Sequence, residues 1–332
     1  MQNVEAIGSH GTPAPVTPDA RTPVSNRARG TLLIVLASVA FGSSGPLAKP
    51  AMTAGLSPEH VAAARIGIAA VLMLVVLAVV RPALLRVRKA QMPLLLGYGL
   101  LGVAGVQLCY FAAVARIPVG VAMLLEFTSP VLVALWVRFV RRTVLPAMMW
   151  MGTVLALAGL AMVAQFWQGF TLDALGLLFG IGAALCSAAY FLLGEHGARA
   201  HDPLGLVTWG LVVGAVAVCV IAPPWTMPAE ILTLEADLGP WHPPVWTLLV
   251  AVAVLSTAIA YLLGTNALRH LPSNVASVLA LLEPIVAITL AWALLGQSLT
   301  VAQIVGALVL LAGATLVQRA ASAQPTPADP QP

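Results

Sequence analysis

The chain has 332 residues, of which 60% are hydrophobic and only 8% charged. Soluble globular domains carry about 25% charged residues, so this composition excludes a soluble enzyme and points to a polytopic membrane protein. The net charge of +4 is gathered in short basic clusters, which mark membrane topology and not nucleic-acid binding.

Residues 1–29 are rich in Pro, Thr and Ala and end in Arg21, Arg27 and Arg29. They read as a disordered cytoplasmic tail with a basic flank. Ten apolar spans follow, at about 31–49, 59–80, 92–115, 118–138, 145–166, 172–194, 203–222, 245–268, 272–294 and 299–318, each close to the ~20 residues that cross a bilayer. Residues 319–332 read as a second disordered tail. Most connections are short. The exception is 223–244, acidic and Pro-rich, which reads as a surface segment with a short amphipathic helix over 228–237, dispensable for translocation.

Residues Arg116–Val163 fall on His270–Val317 without a gap when the chain is shifted onto itself, Pro118 on Pro272, Pro130 on Pro284 and Gly152 on Gly306. The predicted fold is therefore an all-α membrane protein of ten transmembrane helices in two five-helix repeats, 30–166 and 172–318. Five helices per half is an odd number, so the halves must be inverted. With the N-terminus inside, thirteen Lys and Arg lie on the cytoplasmic side and only Lys49 and Arg116 outside, with Arg65 within the second span. That bias places both termini in the cytoplasm of an inner (cell) membrane protein.

Ionisable side chains inside a membrane cost about 2.5–3.5 kcal/mol on insertion scales, so those that occur need a partner or a wet cavity. Glu126 and Glu283 lie near the midplane, and Arg65 nearer the outer side. Ser129 and Pro130 follow Glu126 at i+3 and i+4. Pro130 cannot donate to the Glu126 carbonyl, which leaves an acceptor-rich patch suited to an ammonium group or a proton. Two readings stand for Arg65: a clamp on a substrate carboxylate, or a structural partner of Glu126. Glu283-Pro284 reads equally as a site or as a kink.

Ser43 and Ser44, before Gly45-Pro46, break the first span and read as pathway lining. Gln107, Tyr110, Tyr190, Trp209 and Tyr261 are candidates for a polar and aromatic lining, although aromatic residues also collect at interfaces. Glu195, His196, His201 and Asp202 resemble a metal site by residue type only and read as a solvated turn. Cys109, Cys186 and Cys219 lie within apolar spans and read as packing residues. No phosphate-binding glycine motif, no nucleophile–His–acid set and no metal spacing is present. No cofactor, no metal and no catalysis are therefore expected.

The strings Arg116-Ile117-Pro118 and Leu124-Leu125-Glu126-Phe127-Thr128-Ser129-Pro130 resemble the EamA-domain branch of the drug/metabolite transporter superfamily. The second copy carries the same resemblance in Leu281-Leu282-Glu283-Pro284, Leu294-Leu295-Gly296 and Ala312-Gly313. Within that branch the Leu-Glu-Phe-Thr run is similar to the threonine/homoserine exporter group. Gln297 departs from the pattern, which has an acidic residue there.

The resemblance implies a central cavity and export of small metabolites or drugs without ATP. The expected partners are a small-molecule substrate, membrane lipids and protons as coupling ion, with a homodimer compatible and no nucleic acid. Three functions compete: export of small amino acids or related metabolites, efflux of cationic or aromatic drug-like compounds, and a non-transporting membrane scaffold or receptor.

Overall fold

The computed structural model describes residues 23–167 and 173–323. Within them lie ten helical spans long and apolar enough to cross a membrane, from Asn26–Thr53 to Val301–Ser322. Each predicted span has its counterpart. The parts of the two predicted tails at 1–22 and 324–332 lie outside the described residues. The remaining parts are helical, which corrects the tail boundaries. One helix already begins at Pro23, the last runs to Ser322, and Arg27 donates to the Ala321 carbonyl at 2.6 Å.

Local chemistry sets the helix ends. Ser57 caps the helix Pro58–Val80 by accepting from the His60 N–H, with Pro58 at the first helical position where its missing donor costs nothing. Asp173 and Asp202 cap the sixth and seventh spans. The Leu175 N–H, with help from Arg116, holds the exposed Asp173 carboxyl below the usual carboxylate range. Thr300 and Gln303 form a reciprocal capping box. Gly296, at φ +65, ends the ninth span.

The fifth and tenth spans, Ala147–Ala164 and Val301–Ser322, pack along each other. A side chain at Gly152 would strike the Gly313 carbonyl, and one at Gly159 the Gly306 carbonyl; the reverse substitutions meet the same partners. Numbers rise along one helix as they fall along the other, so the pair is antiparallel. Gly306 and Gly313 are also the repeat counterparts of Gly152 and Gly159. Two equivalent helices thus meet through the same residues, head to tail, the relation that an inverted repeat requires. Small residues allow this close approach.

The connections sort onto two faces. Arg116 meets Asp173, His60 meets Thr226 and Gln165 meets Thr300, joining the gaps after odd-numbered spans. Arg27 meets Ala321, Gln91 meets His201 and Arg141 meets Glu195, joining the two ends of the bundle and the gaps after even-numbered spans.

The segment 223–244 differs from expectation. It holds a 3-10 turn at Ala229–Thr233 and two isolated bridges, Glu235 with Pro244 and Leu238 with Trp241, in place of an amphipathic helix. Nor is it a free surface segment: Ala236 and Leu238 are buried against Val245, Leu248 and Leu249.

Candidate functional site

Three of the ten spans are broken, and two more are distorted. The first divides at Ser43 into Pro23–Gly42 and Ser44–Thr53. The fourth divides after Glu126 into Val119–Glu126 and Ser129–Phe139. The ninth divides into Ser273–Leu279 and Leu282–Leu295. Pro130 and Pro284, which cannot donate backbone bonds, sit just past the breaks in the fourth and ninth. The third and eighth spans carry π-helical segments at repeat-equivalent places, Tyr98–Gly105 and Val254–Ile259, a distortion frequent at functional sites. Irregular backbone at membrane depth is tolerated only where protein or a cavity surrounds it.

These irregular places converge. A side chain at Gly42, at the end of the first half-helix, would strike the carbonyl oxygen of Glu283, so the breaks of the first and ninth spans lie against each other. Beside them is a cavity of about 80 Å³ lined by Phe41, Gln107, Glu126, Ser187, Tyr190, Tyr261 and Glu283, among others. Probe-occupied volumes of roughly 10–15 Å³ hold one water, so several waters or a small solute fit. Five predicted residues are therefore brought to one space: Gln107, Glu126, Tyr190, Tyr261 and Glu283. Glu283 opens on the same cavity as Glu126.

One wall is aromatic. Tyr261 stacks edge-on against both Phe41, at 5.1 Å, and Tyr190, at 5.5 Å between ring centroids. The Tyr261 hydroxyl donates to the Gly102 carbonyl, exposed by the π-helical turn, at 3.1 Å. The Tyr190 hydroxyl is buried without a hydrogen-bond partner.

The other candidates go elsewhere. Ser129 is buried one layer back, accepting from the cavity-lining Ser187 at 3.0 Å. Tyr110 packs beside Phe111 against the cluster of Ala113, Ile117 and Ala122. Trp209 is not a lining residue. Its indole donates to the Leu84 carbonyl at 3.1 Å, at an apolar groove on the bundle's exterior.

Arg65 does not pair with Glu126. It donates to Ser44 Oγ at 2.7 Å, Thr257 Oγ1 at 3.0 Å and the Ser256 carbonyl at 3.1 Å. Ser43 bonds Ser256 at 2.8 Å. Arg65 is 7% exposed, and among the described residues no carboxylate lies within ion-pair distance of it. Ser43 and Ser44 thus hold Arg65 and the eighth span and do not line the cavity. Ser256, Thr257 and Ser187 are functional candidates that the sequence reading missed. For the first two the signal was a polar pair inside an otherwise apolar run.

Glu195, His196, His201 and Asp202 do not converge: among the described residues no three His, Cys, Asp or Glu side chains are placed to hold one metal ion. Nor do they form a solvated turn. Glu195 is buried and takes Arg141 at 2.6 Å and Arg199 at 2.9 Å, His201 meets Gln91, and Asp202 caps its own helix.

Comparison with known proteins adds the following. The sequence profile of the EamA-like transporter family matches residues 28–165 and again 174–319. The threonine/homoserine exporter RhtA of Salmonella typhimurium is 33% identical over 292 residues, 87% of this chain and 91% of that protein. Its Escherichia coli K12 counterpart is 32% identical over the same shares. A solved crystal structure superposes with a TM-score of 0.68 at 19% identity, over 88% of this chain and 98% of the other, which supports the fold.

Proposed function

From the premise that this chain belongs to the EamA-like transporter family, we propose that it exports small amino acids or related metabolites. Export works by alternating access between the two halves and is coupled to proton antiport. The observation that carries the reading is the cavity where the breaks of the fourth and ninth spans each present a carboxylate, Glu126 and Glu283. An ammonium group needs an anion, and two carboxylates at membrane depth must be neutralised by a proton or by substrate. Competition between the two couples outward movement of solute to inward movement of protons.

Similarity to the threonine/homoserine exporters, 32–33% identity over 87% of the chain, supports an amino-acid substrate. The volume supports a small one, since pockets for drug-sized ligands run to roughly 300–1,000 Å³ against about 80 Å³ here. The aromatic wall of Phe41, Tyr190 and Tyr261 favours a second reading, efflux of aromatic or cationic compounds. The charge bias of the two faces supports an inner-membrane placement with both termini cytoplasmic.

Counterflow in proteoliposomes separates these readings. Preloaded threonine should drive uptake of labelled threonine, with homoserine competing and a lipophilic aromatic cation not competing. Flux of the cation alone would replace the first reading by the second. No flux of any solute at verified insertion would leave a non-transporting membrane protein.

A further inference from the structure

Apart from the transport cavity, the bundle carries a groove on its exterior between the third and seventh spans, about 510 Å³ in volume. Its walls are apolar: Leu96 and Leu100 from the third span, Val213 and Val216 from the seventh, with Leu85 and Val87 closing the end. Leu85 and Val87 belong to the 81–91 connection, where they alternate with Arg86, Arg88 and Lys89. All three basic side chains are exposed, and none has an ion-pair partner among the described residues.

The connection is held in place and is not a loose strand of charge. Trp209 donates to the Leu84 carbonyl at 3.1 Å. Gln91 accepts from the Arg88 N–H at 3.0 Å and bonds His201 at 3.2 Å. The connection that carries the basic cluster is thereby fixed at one end of the apolar groove, where Leu85, Val87 and Trp209 line it. The connection contains no acidic residue. The carboxylates of the neighbouring turn are engaged elsewhere, Glu195 with Arg141 and Arg199 and Asp202 with its own helix end.

We propose that this groove is a binding site for an anionic phospholipid, its acyl chain along Leu96, Leu100, Val213 and Val216 and its phosphate at Arg86, Arg88 and Lys89. The apolar wall alone would accept any acyl chain, and the headgroup decides. A zwitterionic headgroup brings a cation that finds no carboxylate here, whereas a net negative one meets three unpaired positive charges. Basic pockets beside transmembrane helices recognise anionic headgroups in this way.

The test is native mass spectrometry of the purified, delipidated full chain with phosphatidylglycerol and phosphatidylcholine of identical acyl chains. Retention of phosphatidylglycerol should exceed that of phosphatidylcholine at least tenfold. The triple variant R86Q/R88Q/K89Q should remove that preference, and Val216→Trp, which fills the groove and leaves the charges, should reduce retention of phosphatidylglycerol. Should the triple variant not fold, raising the salt concentration on the native chain should remove the preference by screening. Equal retention of the two lipids by the native chain would overturn the proposal, as would a preference that survives both the triple variant and high salt.

Discussion

Glu126 is the last residue of its half-helix, and Glu283 is the second residue of its own. A helix end with free carbonyls carries partial negative charge and a helix start partial positive charge. The surroundings of Glu126 therefore welcome a cation, while those of Glu283 already favour an anion. Glu126→Gln should abolish export driven by an imposed pH gradient, at least tenfold below the native chain at matched reconstitution. Glu283→Gln should lower it less and weaken substrate competition. A native rate in Glu126→Gln beside an inactive Glu283→Gln would exchange the two roles. Arg65 supplies the contrasting case. Hydrogen bonds to a charged group are worth about 1.5–3 kcal/mol each, and Arg65 makes three. Arg65→Gln should lower the Tm measurably, and Arg65→Lys, which lacks the planar fork, should recover only part of it. An unchanged Tm in both variants would show that the cluster does not hold the first, second and eighth spans together.

At the scale of single elements, the segment 223–244 binds its neighbours through buried groups. Ala236 and Leu238 are part of a core with Val245 and Leu249, and Gly239, at φ +62, lies so close to the Leu294 carbonyl that a side chain would strike it. Replacing 229–239 by a polar linker of the same length should lower both the Tm and the transport rate. Full activity in such a variant would restore the reading of a dispensable loop. That segment also marks the limit of what patterning reveals. The ten spans were legible because each is an apolar run of membrane length, and the breaks in the fourth and ninth were legible from Pro130 and Pro284. Which side chains share a cavity depends on helix rotation, and a span apolar all round carries no periodic signal to set it. Trp209 was therefore indistinguishable from Tyr190 and Tyr261. Likewise Ser256 and Thr257 looked like ordinary small polar residues until the π-helical turn of Val254–Ile259 brought them to Arg65.

For the whole molecule, alternating access needs ties between the halves that form on one face and break in turn. Arg141 closes the fourth span of the first half, and Glu195 lies near the end of the first span of the second half. Their 2.6 Å contact thus joins the two halves on the face that carries both ends of the bundle. Glu195 is only 3% exposed, while Arg141 and Arg199 are 36% and 57% exposed. Arg141 can return to water when the tie opens while Arg199, on the same helix as Glu195, keeps the carboxylate paired, so the rupture leaves no unpaired buried charge. Glu195→Gln should loosen this face without unfolding the protein. A cysteine introduced at Ala280, which lines the cavity, in a chain whose Cys109, Cys186 and Cys219 are replaced by alanine, would report it. Its alkylation by a membrane-impermeant reagent applied from the Arg141 face should accelerate severalfold in Glu195→Gln over the same cysteine with Glu195 retained. Inside-out vesicles provide that access if the basic face is cytoplasmic, whereas intact cells should show no acceleration. Acceleration in intact cells alone would reverse the orientation. An unchanged rate on both sides would mean that the Arg141–Glu195–Arg199 cluster fastens the fold and takes no part in gating.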